Sequence, residues 1–180
     1  MSKSIRVALA ALALLGLARA AQAQAKAASS SAGSLTWFAS ADLALPQADL
    51  NTATNLGFGA NFGGHYALAP EWGIRADFQY QTFSFKSPGT GSYSLYGVSV
   101  MGQYDISMDG GFKPYVIGGG GFYSNSCTGC NSEWKFGFGG GVGGAWMMGS
   151  QTWFAELRYH TVSTSGVTIA WMPIAFGLRF

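Results

Sequence analysis

The chain alternates apolar and polar side chains over long stretches, and this period of two is typical of a β-strand. In the segment "EWGIRADFQY", Trp72, Ile74 and Phe78 share one face, whereas Arg75 and Asp77 take the other. Successive side chains of a strand point to opposite faces of a sheet. The segments "NLGFGANFGGHYAL", "WKFGFGGGVGGAW" and "WFAELRYH" alternate in the same way. The pattern therefore predicts an all-β protein.

Eight such runs follow one another along the chain. They are predicted at residues 35–45, 55–68, 71–84, 93–106, 112–123, 133–147, 151–162 and 168–180. Most are near ten residues or longer, whereas an ordinary soluble strand has about five or six. A tilted strand needs about 9–11 residues to cross a bilayer. The lengths indicate an eight-stranded antiparallel transmembrane β-barrel.

A soluble eight-stranded cup is the alternative architecture. It would place the large apolar side chains inside and a solvated polar face outside. Here the polar faces consist of a few charges and many of the chain's 27 glycines, and charged residues make up 10% of the sequence. A barrel of eight strands leaves room inside only for side chains, so small residues must make space for long ones. The composition therefore favours a membrane barrel with its polar face inward and its apolar face toward lipid.

The connections between the runs differ in length on the two sides of the predicted barrel. "APE", "SMDGG" and "MGSQ" are tight and consist of turn-forming residues, whereas "PQADLNTATN", "FKSPGTGS" and "SNSCTGCNS" are longer and "STSGV" is the shortest of its group. Outer-membrane barrels have short periplasmic turns and longer extracellular loops. We therefore expect both ends of the barrel domain to lie at the periplasmic side.

The first residues have the pattern of a secretory signal peptide. Lys3 and Arg6 precede the apolar run 7–18, and "AQA" at 21–23 is a small-x-small cleavage site. We expect a cleaved signal at residues 1–23, a flexible leader at 24–34 and the barrel at 35–180. The full chain carries a formal charge of +2, and loss of Lys3, Arg6 and Arg19 changes it to −1. This balance argues against a nucleic-acid partner, which requires clustered Lys and Arg.

The sequence resembles the small eight-stranded outer-membrane barrels of the opacity-protein and OmpA-like type. The resemblance is carried by "FKPYVIGGGGFY", "FAELRYH" and "PIAFGLRF" and spans nearly the whole mature chain. It implies an outer-membrane location in a Gram-negative bacterium after export. The last strand resembles the insertion signal that the outer-membrane assembly machinery reads, with outward residues Ile174, Phe176, Leu178 and Phe180. Periplasmic chaperones and this machinery are therefore expected partners, together with outer-membrane lipid and lipopolysaccharide.

Several charged residues fall on the polar, inward-facing side of six predicted strands. We expect them to form an interior charge network, because an unpaired buried charge is costly. Its predicted members are Asp42, Arg75, Asp77, Asp105, Lys135, Glu156, Arg158 and Arg179. A paired network predicts a plugged lumen. The glycine-rich strands five and six leave a hollow or a narrow channel as alternatives.

His160 is the most notable titratable residue, because it follows Glu156 on the inward face and Ser163 lies nearby. A lipid A deacylase would use a His, a Ser and an acid, so His160, Ser163 and Glu156 form an alternative catalytic set. In that enzyme family the Ser follows the His by two residues, a position that Val162 takes here. His160 and Ser163 should point to opposite faces of one strand. The preferred interpretation is an interior histidine that bonds Glu156 or a carboxylate of a neighbouring strand and has no catalytic role.

Cys127 and Cys130 are the two cysteines of the chain and lie in the loop between predicted strands five and six. A redox centre would place a C-x-x-C pair at a helix N-terminus, whereas two strands flank this one. Thiols outside the cytoplasm tend to be oxidised. We expect a Cys127–Cys130 disulfide that clips the loop tip, with Thr128 and Gly129 forming a tight turn. A metal site would need more ligands nearby, so neither a metal nor a cofactor is expected.

The function that best fits these features is structural or interactive. We expect a contribution to envelope integrity, or adhesion through extracellular loops that bind a ligand outside the cell. The alternatives are a lipid A-modifying hydrolase and a narrow pore.

Overall fold

The protein forms a closed antiparallel barrel of eight strands. A computed structural model describes residues 32–86, 91–126, 132–164 and 166–180, except for the side chain of residue 164. The strands are β1 Leu35–Gln47, β2 Thr54–Ala67, β3 Trp72–Phe85, β4 Ser92–Asp105, β5 Phe112–Ser126, β6 Lys135–Met148, β7 Gln151–Thr164 and β8 Val167–Arg179. Each strand pairs with the next along the chain, and β8 pairs with β1 to close the barrel.

The eight predicted strands are confirmed, and their ends move by a few residues. The largest extension is in β5, which continues to Ser126 instead of ending at residue 123. Before β1, the last residues of the predicted leader also pair with the barrel: Gly33 N donates to Ala67 O at 2.7 Å, and Ala67 N donates to Ser34 O at 2.9 Å. The first strand begins at Leu35, and Gly33 and Ser34 extend its backbone pairing with β2.

Alternation places the polar face inside the barrel and the apolar face outside. On β3, Arg75 and Asp77 are 1% and 4% exposed, whereas Ile74 and Phe78 are 45% and 51% exposed. The same outward exposure of large apolar side chains recurs on the other strands, for example at Phe62 of β2. A soluble protein would cover such a belt, whereas a membrane barrel presents it to lipid.

Aromatic side chains gather near one end of the strands, as expected for a membrane interface. Trp37 stacks on Phe62 with ring centroids 5.6 Å apart, and Trp72 packs against Tyr104 at 4.8 Å. Trp153 lies 5.1 Å from Phe176 at the same end. These rings are the interfacial girdle of that end.

The two ends of the barrel carry different connections. We call the end with the connections 68–71, 106–111 and 149–150 the turn end, and the opposite end the loop end. At the loop end, β7 and β8 are joined by residues 165–166, which is shorter than the five-residue connection predicted there. The prediction was wrong because both strands continue pairing to Thr164 and Val167.

The first connection of the loop end contains a helix that the sequence pattern did not predict. Helix α1, Ala48–Ala53, folds over the opening and buries Leu50, which is 5% exposed. Thr168 N donates to Asp49 Oδ2 at 2.7 Å, and Lys86 N donates to Ala53 O at 2.9 Å. These contacts fix α1 against β8 and the end of β3. No helix among the described residues is long and apolar enough to cross a membrane.

Glycine on the inward face makes room for large side chains from neighbouring strands. A Cβ on Gly139 would lie 2.6 Å from His160 Nδ1, and one on Gly143 would lie 2.5 Å from the Tyr115 ring. Real Cβ atoms do not approach other atoms that closely. The glycine-rich strands therefore admit Tyr115 and His160 from adjacent strands.

Candidate functional site

Five charged residues meet in the middle of the barrel, and we call them the ion cluster: Asp42, Arg75, Asp77, Glu156 and Arg158. Arg75 Nε lies 2.8 Å from Asp77 Oδ1, and Arg75 Nη1 lies 2.6 Å from Glu156 Oε2. Arg158 approaches all three carboxylates: its Nε lies 3.0 Å from Glu156 Oε1, its Nη1 3.1 Å from Asp77 Oδ2 and its Nη2 3.6 Å from Asp42 Oδ2. The side chains are at most 2% exposed. The cluster is a buried network of alternating charges.

The spacing of residues along each strand explains why the members of the ion cluster face the interior. Arg75 and Asp77 are two residues apart on β3, and Glu156 and Arg158 are two apart on β7, so each pair shares the inward face. Asp42 joins from β1. Three carboxylates and two guanidinium groups give the cluster a formal charge of −1 when all are ionised. Burial makes each of these charges dependent on its partners.

Neutral donors complete the cluster. Tyr115 Oη donates to Glu156 Oε2 at 2.8 Å, and Gln81 Nε2 donates to Asp42 Oδ2 at 2.8 Å. Ser40 Oγ donates to Asp42 Oδ1 at 2.7 Å. Arg158 Nε and Glu156 Oε1 form an ion pair by distance, but their relative orientation does not allow a hydrogen bond. The sequence analysis did not predict these neutral donors. Alternation along β5 places Tyr115 on the inward face, and this position could have indicated its role.

The other three predicted members of the network lie apart from the ion cluster. Asp105 accepts a hydrogen bond from Gln103 Nε2 at 2.6 Å near the turn end. The Arg179 guanidinium lies 4.7 Å from the centroid of the Tyr115 ring. Lys135 is at the loop end, where its Nζ lies 2.6 Å from Glu133 Oε2. The structure therefore brings five of the eight residues together and distributes three along the barrel.

Apolar side chains fill the interior on both sides of the ion cluster. Toward the turn end the buried group is Phe38, Met101, Tyr115, Ile117, Ala145 and Phe154. Toward the loop end it is Ala44, Leu50, Phe83, Tyr93, Leu95, Tyr123, Val162 and Trp171, and it includes the residue contributed by α1. The ion cluster therefore lies between two groups of packed apolar side chains.

His160 belongs to a buried aromatic group between the ion cluster and the loop end. It is fully buried, and its ring stacks on Trp171 with centroids 5.1 Å apart. The predicted carboxylate partner is wrong, because His160 Nδ1 lies 3.0 Å from Tyr123 Oη and the carboxylate of Glu156 contacts Arg75 and Tyr115. Ser163 is exposed, and its backbone pairs with Thr168 on β8. Tyr123 and Trp171, which sequence reasoning missed, face inward beside the histidine.

The alternative catalytic set is not brought together. His160 points inward, whereas Ser163 lies at an exposed position of opposite parity on the same strand. Glu156 is four residues from His160 along β7, roughly 13 Å at about 3.3 Å per residue, and its carboxylate contacts Arg75 and Tyr115. Among the described residues these three side chains do not form the relay that acyl transfer requires.

The residues predicted for assembly and for the loop disulfide have separate positions. Ile174, Phe176 and Phe180 are exposed on the outward face of β8 and its end, and Leu178 on the same face is half-buried. Cys127 and Cys130 lie outside the described residues. Within the described ranges, no group of three or more His, Cys, Asp or Glu side chains could hold a metal ion.

A model of the outer membrane protein beta-barrel domain matches residues 7–180 of the chain. The chain belongs to this family. It is therefore an outer-membrane barrel of the Gram-negative envelope, and its apolar belt contacts lipid and lipopolysaccharide. The turn end faces the periplasm, and the loop end faces the outside.

Solved outer-membrane barrels have the same fold. Neisserial surface protein A is 17% identical, with 81% of this chain and 95% of that chain covered and a TM-score of 0.66. Ail, the attachment invasion locus protein of Yersinia pestis, is 17% identical, with 83% and 100% covered and a TM-score of 0.54. OprG from Pseudomonas aeruginosa is 13% identical, with 83% and 96% covered and a TM-score of 0.54. A comparison with curated proteins found no match.

Proposed function

We propose that this outer-membrane barrel is a closed structural element that presents its loop end for contact with molecules outside the cell. The observation that carries the proposal is the buried ion cluster, which lies between two apolar groups inside the barrel. A closed interior leaves the loop end as the surface at which an outside molecule can be recognised. The similarity in fold to Ail, an attachment invasion locus protein, supports a role of this kind.

The charge of the loop end restricts the partner. Its charged side chains are Asp49, Lys86, Glu133 and Lys135, and the loop residues 87–90 and 127–131 contribute none. Two acidic and two basic residues leave no net charge. One structure of the Yersinia pestis protein is a complex with the heparin analogue sucrose octasulfate. A polyanion of that kind would find little attraction here, so the proposed contact relies on apolar and hydrogen-bonding groups.

Delivery to the membrane is part of the same proposal. Residues 1–23 would direct export, and the outer-membrane assembly machinery would read the last strand. The exposed positions of Ile174, Phe176 and Phe180 support this, because a receptor or chaperone can reach side chains on the outward face.

Contact at the loop end predicts that adhesion depends on the loops. We expect cells of a deletion strain that produce a variant with residues 127–131 replaced by a Gly-Ser segment to bind immobilised host-surface proteins and glycans several-fold less than cells producing the native chain. The matched control replaces the turn-end residues 107–111 in the same way and should leave binding unchanged. Gel mobility before and after boiling checks that both variants fold. Equal binding by the deletion strain and the native strain would contradict the recognition role.

The proposed closed barrel predicts that the purified protein does not conduct ions. In planar bilayers we expect no stable, discrete openings, because the paired side chains of the ion cluster reach across the barrel interior from β1, β3 and β7. An open porin reconstituted in the same way is the positive control. Reproducible unitary conductance from the native chain would support the narrow pore instead.

A further inference from the structure

The loop end contains a cavity of about 250 Å³ inside the barrel wall. Its apolar lining comes from β4, β5, β7 and β8: Tyr93, Leu95, Tyr123, Val162, Val167 and Ile169. Four of these side chains are also buried members of the apolar group toward the loop end. The cavity is therefore an unfilled part of the interior packing and not a groove on the outer wall.

The floor of the cavity is closed. Tyr123 lines the cavity, and its hydroxyl lies 3.0 Å from His160 Nδ1. Its ring packs edge-on against Trp171 with centroids 5.2 Å apart. A molecule that enters from outside would stop at this aromatic layer, above the ion cluster.

The mouth of the cavity is polar but uncharged overall. Lys135 Nζ lies 2.6 Å from Glu133 Oε2, and both side chains line the cavity and remain accessible to solvent. The hydrogen bond from Lys135 lowers the pKa of the Glu133 carboxyl. One acidic and one basic side chain leave the mouth without net charge. Ser124 and Asn125 add hydrogen-bonding groups to the lining.

The size of the cavity limits what it can hold. A volume of about 250 Å³ corresponds to roughly eight water-sized groups at about 30 Å³ each. Ligand sites combine a mainly apolar lining with a few placed polar groups. From this lining and the neutral mouth, we propose that the cavity binds a small uncharged amphiphile with an apolar body of about eight non-hydrogen atoms and one hydrogen-bonding group that faces Ser124 and Asn125. The inference rests on the proposed closed barrel, because the closed floor is what retains the molecule.

Photolabelling tests the proposal. An eight-carbon alcohol that carries a diazirine is irradiated with the native protein in phosphatidylcholine vesicles, and the labelled residues are mapped by mass spectrometry. We expect saturable labelling of Tyr93 and Tyr123 that unlabelled 1-octanol displaces. Labelling confined to lipid-facing positions, or labelling that 1-octanol does not displace, would overturn the proposal. So would labelling of these residues by a diazirine phosphatidylcholine but not by the alcohol, because the occupant would then be membrane lipid.

Variants test the site itself. Val162→Trp should fill the cavity and abolish the displaceable labelling, whereas Val142→Trp on the lipid-facing wall should retain it. Tyr93→Phe is a second control: the ring lines the cavity but the hydroxyl has almost no accessible surface, so we expect unchanged competition by 1-octanol. If Val162→Trp does not fold, the displaceable labelling of Tyr93 and Tyr123 in the native chain decides alone. If the protein conducts ions but its cavity residues are still labelled saturably, the closed lumen is refuted and the cavity site is supported.

Discussion

Arg158→Met should destabilise the barrel by about 3–5 kcal/mol, because removing one partner of a buried ion network leaves the other charges uncompensated. Arg158 approaches Asp42, Asp77 and Glu156, so the variant leaves three buried carboxylates with Arg75 as their remaining cationic partner. The formal charge of the ion cluster changes from −1 to −2. The measurement is the free energy of urea unfolding in phosphatidylcholine vesicles, with the boiling-dependent gel shift as a second readout.

Two further variants separate lost charge compensation from lost packing. Lys135→Met removes a cation from the solvent-exposed pair with Glu133 and should leave the unfolding free energy nearly unchanged. The double variant Arg158→Met/Asp42→Asn restores a cluster charge of −1 and should lose less stability than the two single changes added together. Strict additivity, or a loss below about 1 kcal/mol for Arg158→Met, would show that the cluster charges are not mutually dependent.

The sequence predicts well whether a residue faces the barrel interior or the outside. It predicts poorly which interior side chains are in contact. Arg75 and Asp77 are placed inward by their parity alone, because the period of two is a local property of a strand. Their contacts with Glu156 and Arg158 depend on the stagger between β3 and β7 across the lumen, and no local pattern encodes that stagger. Lys135 shows the same limit, because parity gives the face of a residue but not its depth.

Helix α1 was missed for a related reason. The segment "ADLNTA" is too short for a helical period to be read, and six residues are too few for a helix that is stable alone. It is held by burial of Leu50 in the barrel opening and by the hydrogen bond from Thr168 N to Asp49 Oδ2. Both contacts are tertiary. The aromatic layer of Tyr123, His160 and Trp171 likewise forms only after three strands are brought together.

The high glycine content favoured a narrow barrel, but the structure shows that individual glycines differ in the space around them. Gly118 and Gly119 are neighbours on β5 and point to opposite faces of the wall. A Cβ on Gly119 would lie 2.1 Å from the backbone oxygen of Val100 and 2.7 Å from Met101 Cα, whereas a Cβ on Gly118 would meet nothing within 4 Å. The two positions are therefore a matched pair for testing how closely β4 and β5 must approach.

Gly119→Ala should destabilise the barrel by at least about 1–3 kcal/mol, the usual cost of overpacking a filled interior. The contact is with backbone atoms, which cannot rotate away as a flexible side chain can, so β4 and β5 must separate and the pairing of Met101 with Gly119 must distort. Gly118→Ala should be neutral or slightly stabilising, because alanine costs less backbone entropy than glycine on folding. Urea unfolding in vesicles and the fraction of unboiled protein that migrates as the folded form measure both variants. Equal stability of the two would mean that the inward glycines of β5 are not required by close strand approach, and that the narrow lumen has another cause.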